Sequence, residues 1–122
     1  MANLIVINGN NSWSAGAWFF RFALRTIHGF LPQFDAEHIA RDFEQFYSER
    51  HVDFSIFESK DLIIIYYAAR HAQSHLSRFG LSSAVFQDNA FTSDEKFFRR
   101  FSEKLDELIV AIGQDDRVKD YV

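Results

Sequence analysis

The apolar residues of this chain recur mostly at helical spacing, and the first such stretch follows a Gly-rich and Asn-rich turn. The spacing predicts a helix over about 15–31, which Pro32 ends because its ring cannot continue a helix. Its apolar positions wrap most of the way around, and Arg21 and Arg25 mark the one plainly polar edge. A helix this apolar is either central to a core or exposes an apolar patch.

Two further stretches continue the helical pattern. A second helix is predicted over about 35–48, with Asp35 as its N-cap and an apolar stripe through Ile39 and Phe43. A third is predicted over about 60–79, with Gly80 as its C-cap. The β-branched run at 62–67 also suits a buried strand, and this alternative stays open.

The last predicted helix covers about 93–112. A capping box at 92–95 precedes it, and Phe101 and Leu105 lie in the middle of an apolar stripe that runs to Gly113. We expect both residues to belong to the core. The segment 81–91 is loop-like, and the polar tail 114–122 is expected to fray.

Strand signals are few. Residues 4–7 form a short β-branched run that ends at a turn signal, and Ser12 or Ser14 is placed to cap the helix that follows. Residues 52–56 alternate between apolar and polar side chains. The predicted fold is therefore mostly α: a single domain over 1–122 with four main helices and a minor short-strand component. An α+β fold is the alternative.

Composition narrows the class of protein. The chain has 122 residues, 48% of them hydrophobic, which is the size and content of one folded domain. With no cysteine, disulfides and thiolate metal sites are excluded. The apolar runs are too short for a signal peptide or a membrane span, so we expect a cytoplasmic protein that does not enter a membrane.

Charge is distributed unevenly along the chain. The first 34 residues contain no acidic side chain, whereas the next 27 contain eight against three basic ones, which leaves −5 in a chain of net charge −4. Aromatic residues are interspersed through this acidic segment. Such a segment can dock a basic protein partner, and an ordinary solvated helix face is the alternative. The candidate partner-binding residues are Asp35, Glu37, Asp42, Glu44, Glu49 and Asp53.

Other candidate chemistry is weaker. His71 and His75 are four residues apart on a predicted helix, but a third metal ligand is not evident. The loop Gly9-Asn10-Asn11 lacks a phosphate-binding motif, and the negative net charge disfavours nucleic acid. No nucleophile motif is present, so we predict no catalytic residue, no metal and no cofactor.

These observations favour a non-catalytic binding or inhibitor protein. The specific hypothesis is an immunity protein or antitoxin that neutralises a basic partner, such as a nuclease toxin, through an acidic face that also carries aromatic side chains. One alternative is a small helical domain, or a small enzyme, that binds an apolar ligand in a pocket lined by some of its 15 phenylalanines. Another is a homodimer whose excess aromatics close an interface. The sequence does not decide between monomer and dimer.

Overall fold

The structure is a computed structural model that describes residues 3–79 and 95–121. Over these ranges the chain is mostly helical with a small sheet, as the apolar spacing predicted. The elements in chain order are β1 Asn3–Asn8, β2 Asn11–Ala15, α1 Ala17–Phe30, a 3₁₀ turn Leu31–Phe34, α2 Glu37–Phe46, β3 His51–Asp53, a second 3₁₀ turn Phe54–Ile56, α3 Ser59–Phe79, α4 Glu95–Gly113 and α5 Asp116–Lys119.

The sheet has three strands in the order β2-β1-β3. β1 pairs antiparallel with β2 and parallel with β3, so β2, α1 and α2 all lie in the connection between the two parallel strands. The strands predicted near 4–7 and 52–56 correspond to β1 and β3. β3 is shorter than predicted because the Asp53 carboxylate accepts a hydrogen bond from the Ser55 backbone N–H and starts the second 3₁₀ turn.

The sequence did not predict β2. Ser12 and Ser14 lie in this strand and do not cap α1, whose N-cap is Gly16. Trp13 anchors the strand, since its ring is buried and its indole N–H donates to the Lys104 carbonyl at 2.9 Å. A two-residue turn at 9–10 therefore joins two strands, and the strand–loop–helix context of a phosphate loop is not formed there.

α3 is the central helix, and it contacts α1, α4 and α5. The stretch 62–67 lies inside it, which resolves the helix-or-strand ambiguity in favour of the helix. Leu62, Ile65 and Leu76 are fully buried, as are Phe101 and Leu105 of α4. The last two residues are therefore core, as their spacing predicted.

Asp35 differs from its predicted role. It adopts a left-handed conformation (φ 56°) and closes the first 3₁₀ turn, while Ala36 is the N-cap of α2 and makes no side-chain capping bond. Asp is among the few residues that take this conformation readily, which explains its use between two helical segments.

The C-terminal segment forms a short helix. Residues 114–121 fold into a turn and α5, with Val118 fully buried. Fraying of the polar tail in solution stays a prediction. Asp115 is the N-cap of α5, and its side chain accepts from the Arg117 backbone N–H. The predicted Gly80 cap, the loop 81–91 and the 92–94 part of the capping box lie outside the described residues.

Candidate functional site

Helix α2 presents the acidic segment to solvent. Ile39, Phe43 and Phe46 are buried, and Glu37 and Glu44 lie on the opposite, exposed side of the helix. Because they are seven residues apart, they share one side of α2, about 10 Å apart along its axis. Two of the six predicted site residues therefore lie along one exposed strip of α2, with the exposed Arg41 between them.

The other four predicted residues surround this strip in different environments. Asp35 and Glu49 are exposed in the turns before and after α2, whereas Asp42 is half-buried on the helix itself. Asp53 is exposed at the end of β3, and its hydrogen bonds with Ser55 lower the pKa of the carboxyl below its ordinary value. Asp53 thus has a local structural role, in addition to any role in docking.

Several acidic side chains lack an intramolecular counter-charge. Within the described ranges, Glu37, Asp42, Glu44 and Glu49 form no ion pair or side-chain hydrogen bond, and Arg41 is not within ion-pair distance of Glu37 or Glu44. Other carboxylates are paired, for example Asp61 with His38 at 2.9 Å and Glu107 with Lys104 at 3.0 Å. The negative charge around α2 is therefore available to an external cation.

A cluster of four phenylalanine rings packs at the buried side of α2. Phe43 and Phe46 of the helix contact Phe54 and Phe57, with ring centroids between 5.3 and 6.2 Å apart. Aromatic pairs at these distances contribute beyond their buried area. The carboxylates of α2 are consequently carried on a helix that is fixed to the core.

α1 borders this surface. The Tyr47 hydroxyl just after α2 is hydrogen-bonded to His28 Nδ1, and the His28 ring also lies 6.3 Å from that of Phe43. Burial of the hydroxyl raises the pKa of Tyr47 to about 12; the Arg25 charge opposes this shift and the Glu44 charge adds to it. Tyr47 is therefore protonated at neutral pH, and its hydrogen bond with the His28 ring links the end of α2 to α1.

A second charged region lies at the end of β1, where Arg117 is enclosed by acceptors. Its Nε and Nη2 donate to the two Asp115 carboxylate oxygens at 2.7 and 2.9 Å. The guanidinium also donates to the backbone carbonyls of Ile7, Phe54 and Phe57 at 2.7–3.1 Å. All five of its N–H donors are used in this way, so Arg117 joins the C-terminal segment to β1 and the second 3₁₀ turn.

Asp115 completes this cluster of polar contacts. Its side chain is 3% exposed and accepts a further hydrogen bond from Asn8 at 2.8 Å. Hydrogen bonding to Arg117, against the opposing effect of burial, holds the pKa of Asp115 well below its ordinary range. The cluster forms part of the wall of a polar cleft of about 700 Å³, but its charges are already satisfied by one another. We interpret it as a structural clamp.

The predicted histidine pair is placed in an aromatic environment. His71 packs edge-on against Phe34 and His75 against Phe30, each with ring centroids 5.5 Å apart. A search of residues 3–79 and 95–121 found no group of three or more potential metal ligands. The two imidazoles contribute to the packing of α3 against the end of α1 and the first 3₁₀ turn.

Many of the phenylalanines are used in packing. Phe20, Phe43, Phe54 and Phe101 are fully buried, and Phe101 also contacts the Phe19 and Phe22 rings of α1. The polar cleft and a second cleft of about 420 Å³ on α4 each have one phenylalanine in their walls. Packing in the core therefore accounts for much of the high phenylalanine content.

The comparisons with known proteins found no match among protein-family models, curated proteins or solved structures. None of the helices in the described part of the chain is both long and apolar enough to span a membrane.

Proposed function

We propose that this protein binds and blocks a basic protein partner through the acidic surface around α2, as an immunity protein or antitoxin does with a nuclease toxin. The observation that carries the proposal is that the α2 carboxylates have no ion-pair partner among the residues that the structure describes, on a helix that is fixed by the phenylalanine cluster. A nuclease binds the phosphates of its substrate with cations, and a fixed row of carboxylates can occupy the same cations.

The exposed charges of α2 are better suited to docking than to a purely structural role. Exposed charges of like sign repel each other and contribute little to folding, so a row of unpaired carboxylates costs the isolated protein some stability. The same row raises the rate of association with a positively charged surface. Apart from Glu37, which lies in the first turn of α2 where a negative charge favours the helix, the exposed α2 carboxylates contribute little to folding, which supports a role in binding.

We place this activity in the cytoplasm. The chain has no cysteine, so its stability does not require an oxidising compartment. We assign no catalytic residue and no cofactor to the protein, because blocking a partner needs only a complementary surface.

The first experiment identifies the partner. The wild-type protein and the variant Glu37→Lys/Glu44→Lys are used as bait in parallel pull-downs from the source cells. The matched control is Glu103→Lys/Asp106→Lys, which makes the same change in net charge on two exposed residues of α4. We expect a basic protein that the wild type and the control retain and the α2 variant loses.

The second experiment measures association rates with that protein at low and moderate salt. Charge reversal on α2 is expected to slow association and to reduce its dependence on salt, because electrostatic steering acts mainly on the on-rate. Equal rates for the wild type and the α2 variant at both salt concentrations would overturn the proposal, and α2 would then be an ordinary solvated helix.

A further inference from the structure

We propose that this protein also binds a single-stranded nucleic acid, at a cleft on α4 and at the arginines around it. The phosphates of the strand bind to the arginines, and one base enters the cleft. The site is built from α1, α3 and α4, and it does not depend on the existence of a toxin partner.

Four exposed arginines carry the positive charge of this site: Arg21 on α1, Arg78 on α3, and Arg99 and Arg100 on α4. Within the described ranges, none of them forms an ion pair, a side-chain hydrogen bond or a contact with an aromatic ring. α1 contains no acidic residue, and α3 contains none after Asp61. Exposed cations of this kind add little to folding and are available to an anion.

The packing of α1 against α4 brings two of these arginines together. The Phe101 ring of α4 lies 6.2 Å from the Phe19 ring and 4.7 Å from the Phe22 ring of α1. Arg100 directly precedes Phe101, and Arg21 lies between the two α1 rings in the sequence. Both arginines therefore flank the contact between α1 and α4.

The packing of α3 brings Arg78 to the same end of α4. Gln73 of α3 donates to the backbone and side-chain oxygens of Ser102 of α4 at 3.2 and 3.1 Å. Tyr66, earlier in α3, lies against Gly113 at the end of α4. The two helices are therefore antiparallel, and Arg78, about one and a half turns beyond Gln73, lies beside the first turns of α4.

This basic end is separate from the start of α2. Helix α2 is attached to the opposite end of α3, where His38 pairs with Asp61 at 2.9 Å. Arg78 is seventeen residues further along α3, a distance of about 25 Å on the helix axis. The net charge of −4, which disfavours nucleic acid for the chain as a whole, therefore does not describe the local field at this end.

A cleft of about 420 Å³ opens on α4 next to the arginines. Phe98, Arg99, Ser102 and Glu103 line it. Its volume falls within the range of about 300–1,000 Å³ that is typical of small-ligand sites. The half-buried Phe98 gives the cleft an aromatic wall, and Glu103 contributes one carboxylate against four arginines.

Ser102 gives the cleft a hydrogen-bond donor. Its hydroxyl oxygen accepts from Gln73 Nε2, while its own proton has no acceptor in the part of the chain that the structure describes. The Oε1 atom of Gln73 is buried and has no donor in the same ranges. These polar groups are therefore not closed on one another, in contrast to the Arg117 cluster.

This combination of groups matches one strand of nucleic acid. Guanidinium groups bind phosphates through paired hydrogen bonds, and several arginines on one surface match the repeated phosphates of a strand. An aromatic wall can stack on the face of a base, and a hydroxyl can donate to the edge of that base. Because bases in a duplex stack on each other, the cleft selects a single strand.

The test is fluorescence anisotropy at low salt with a labelled single strand of about twelve nucleotides of mixed sequence, prepared as RNA and as DNA. A duplex of the same sequence and inorganic polyphosphate serve as unlabelled competitors. Arg99→Gln/Arg100→Gln removes two charges from the site. The matched control is Arg41→Gln/Arg50→Gln, which removes two exposed arginines from the acidic segment. Thermal unfolding controls for the folding of each variant.

We expect the wild type and the Arg41/Arg50 control to bind the single strand with similar affinity. The logarithm of the affinity should fall with the logarithm of salt concentration by about 0.7 per phosphate contact. Loss of Arg99 and Arg100 should weaken binding about tenfold or more and should make this slope shallower by about 1.4. The duplex and polyphosphate should compete weakly, because neither offers an accessible base.

Phe98→Leu tests the contact with the base, since it keeps an apolar side chain and removes the ring. It should weaken binding about fivefold or more and leave the salt slope unchanged. Phe34→Leu, at another half-buried phenylalanine, is the matched control and should bind as the wild type does. Ultraviolet crosslinking of an oligonucleotide that contains 4-thiouridine needs no variant, and the crosslinks to the wild type should map to residues 98–102.

Several results would overturn the proposal. One is a wild type that does not bind the single strand at low salt, including a wild type that binds only vesicles of phosphatidylserine and phosphatidylcholine. Another is an Arg99/Arg100 variant that binds as tightly as the Arg41/Arg50 control. Equal competition by the duplex or by polyphosphate would mean that charge alone is recognised, and crosslinks that all lie outside α4 would place the base elsewhere.

The outcome is separable from that of the toxin hypothesis. Arg99→Gln/Arg100→Gln keeps every carboxylate of the acidic segment, so this variant should lose the oligonucleotide and still retain the basic partner. If the wild type binds the oligonucleotide at α4 and retains no basic partner, the nucleic-acid site stands alone.

Discussion

Helix α2 and the C-terminal segment 114–121 both carry carboxylates near an arginine, but they use them in opposite ways. Around Arg117, the Asp115 carboxylate is buried and every guanidinium donor has an acceptor. On α2, Arg41 lies between Glu37 and Glu44 and pairs with neither, and all three are exposed.

The difference shows that the number of charges in a segment does not indicate their role. Burial makes the Arg117 cluster costly to disturb, because an unpaired charge left in the protein loses its solvation. Because the α2 charges are exposed, changing them should have little effect on the stability of the isolated protein. The same charges can contribute to the binding of a partner. Mutations in the two regions should therefore affect different measurements, and the following predictions run from the largest expected effect to the smallest.

Arg117→Ala should cause the largest loss of stability. It leaves the Asp115 carboxylate without its cation and three backbone carbonyls without a donor, which should lower the free energy of unfolding by about 3–5 kcal/mol. Denaturant titration measures the loss. Arg117→Lys should recover only part of it, because an ammonium cannot reproduce the planar guanidinium fork.

The matched control for Arg117 is Lys119→Ala, which removes an exposed cation from the same segment. It should leave the denaturation midpoint unchanged. If both substitutions had equally small effects, the Arg117 cluster would not be a clamp, and the contrast with α2 would be lost.

Asp115→Asn should destabilise the protein in a pH-dependent manner. Because its pKa in the folded protein lies below the ordinary value of 3.8, the ionised carboxylate stabilises the fold at neutral pH. That contribution is lost as the pH falls below the ordinary pKa and approaches the folded one. We expect a difference from wild type of about 1.5–3 kcal/mol at neutral pH that shrinks in acid.

Urea titrations of both proteins across this pH range test the assignment. A difference that stayed constant down to strongly acidic pH would mean that Asp115 contributes through shape and neutral hydrogen bonds. Its charge would then be irrelevant to the clamp.

Tyr47→Phe should have an intermediate effect, since Tyr47 is half-buried where the end of α2 meets α1. Loss of its hydrogen bond with His28 should cost about 0.5–1.5 kcal/mol, measured by thermal or chemical unfolding. The matched control is Tyr121→Phe, because Tyr121 is 66% exposed and its hydroxyl has no hydrogen-bond partner in the described ranges. An equal effect for both would show that the bond to His28 does not hold α1 and α2 together.

Glu37→Lys/Glu44→Lys should have the smallest effect on stability. Exposed, unpaired charges contribute about 0–1 kcal/mol, so the free energy of unfolding should be almost that of the wild type. A loss comparable to that of Arg117→Ala would show that α2 uses its carboxylates for folding after all.

Much of the fold could be predicted because its signals are local. The apolar spacing located all four main helices, and the stripe through Phe101 and Leu105 identified core residues correctly. β2 was missed because it has one large apolar residue, Trp13, between small polar ones that also favour helix caps. Its pairing with β1 supplies the stabilisation that the local sequence does not reveal.

The candidate site was predictable only in part, for a related reason. A count of charges was sufficient to find the acidic segment, and the helical period placed Glu37 and Glu44 opposite the apolar stripe. The half-burial of Asp42 and the hydrogen bonds of Asp53 depend on tertiary neighbours. Arg117 was missed altogether because its acceptors, at Ile7, Phe54 and Phe57, are between 60 and 110 residues away.

This separation has a consequence for the protein while it is being made. A ribosome produces Ile7 and the segment 54–57 well before it reaches Arg117, so the carbonyls that the guanidinium will bind must remain hydrated in the nascent chain. The Arg117 contacts at the corner between β1 and the second 3₁₀ turn therefore form only after residue 117 has been synthesised. Until then, the stability of the amino-terminal part of the chain has to come from its local helices and hairpin.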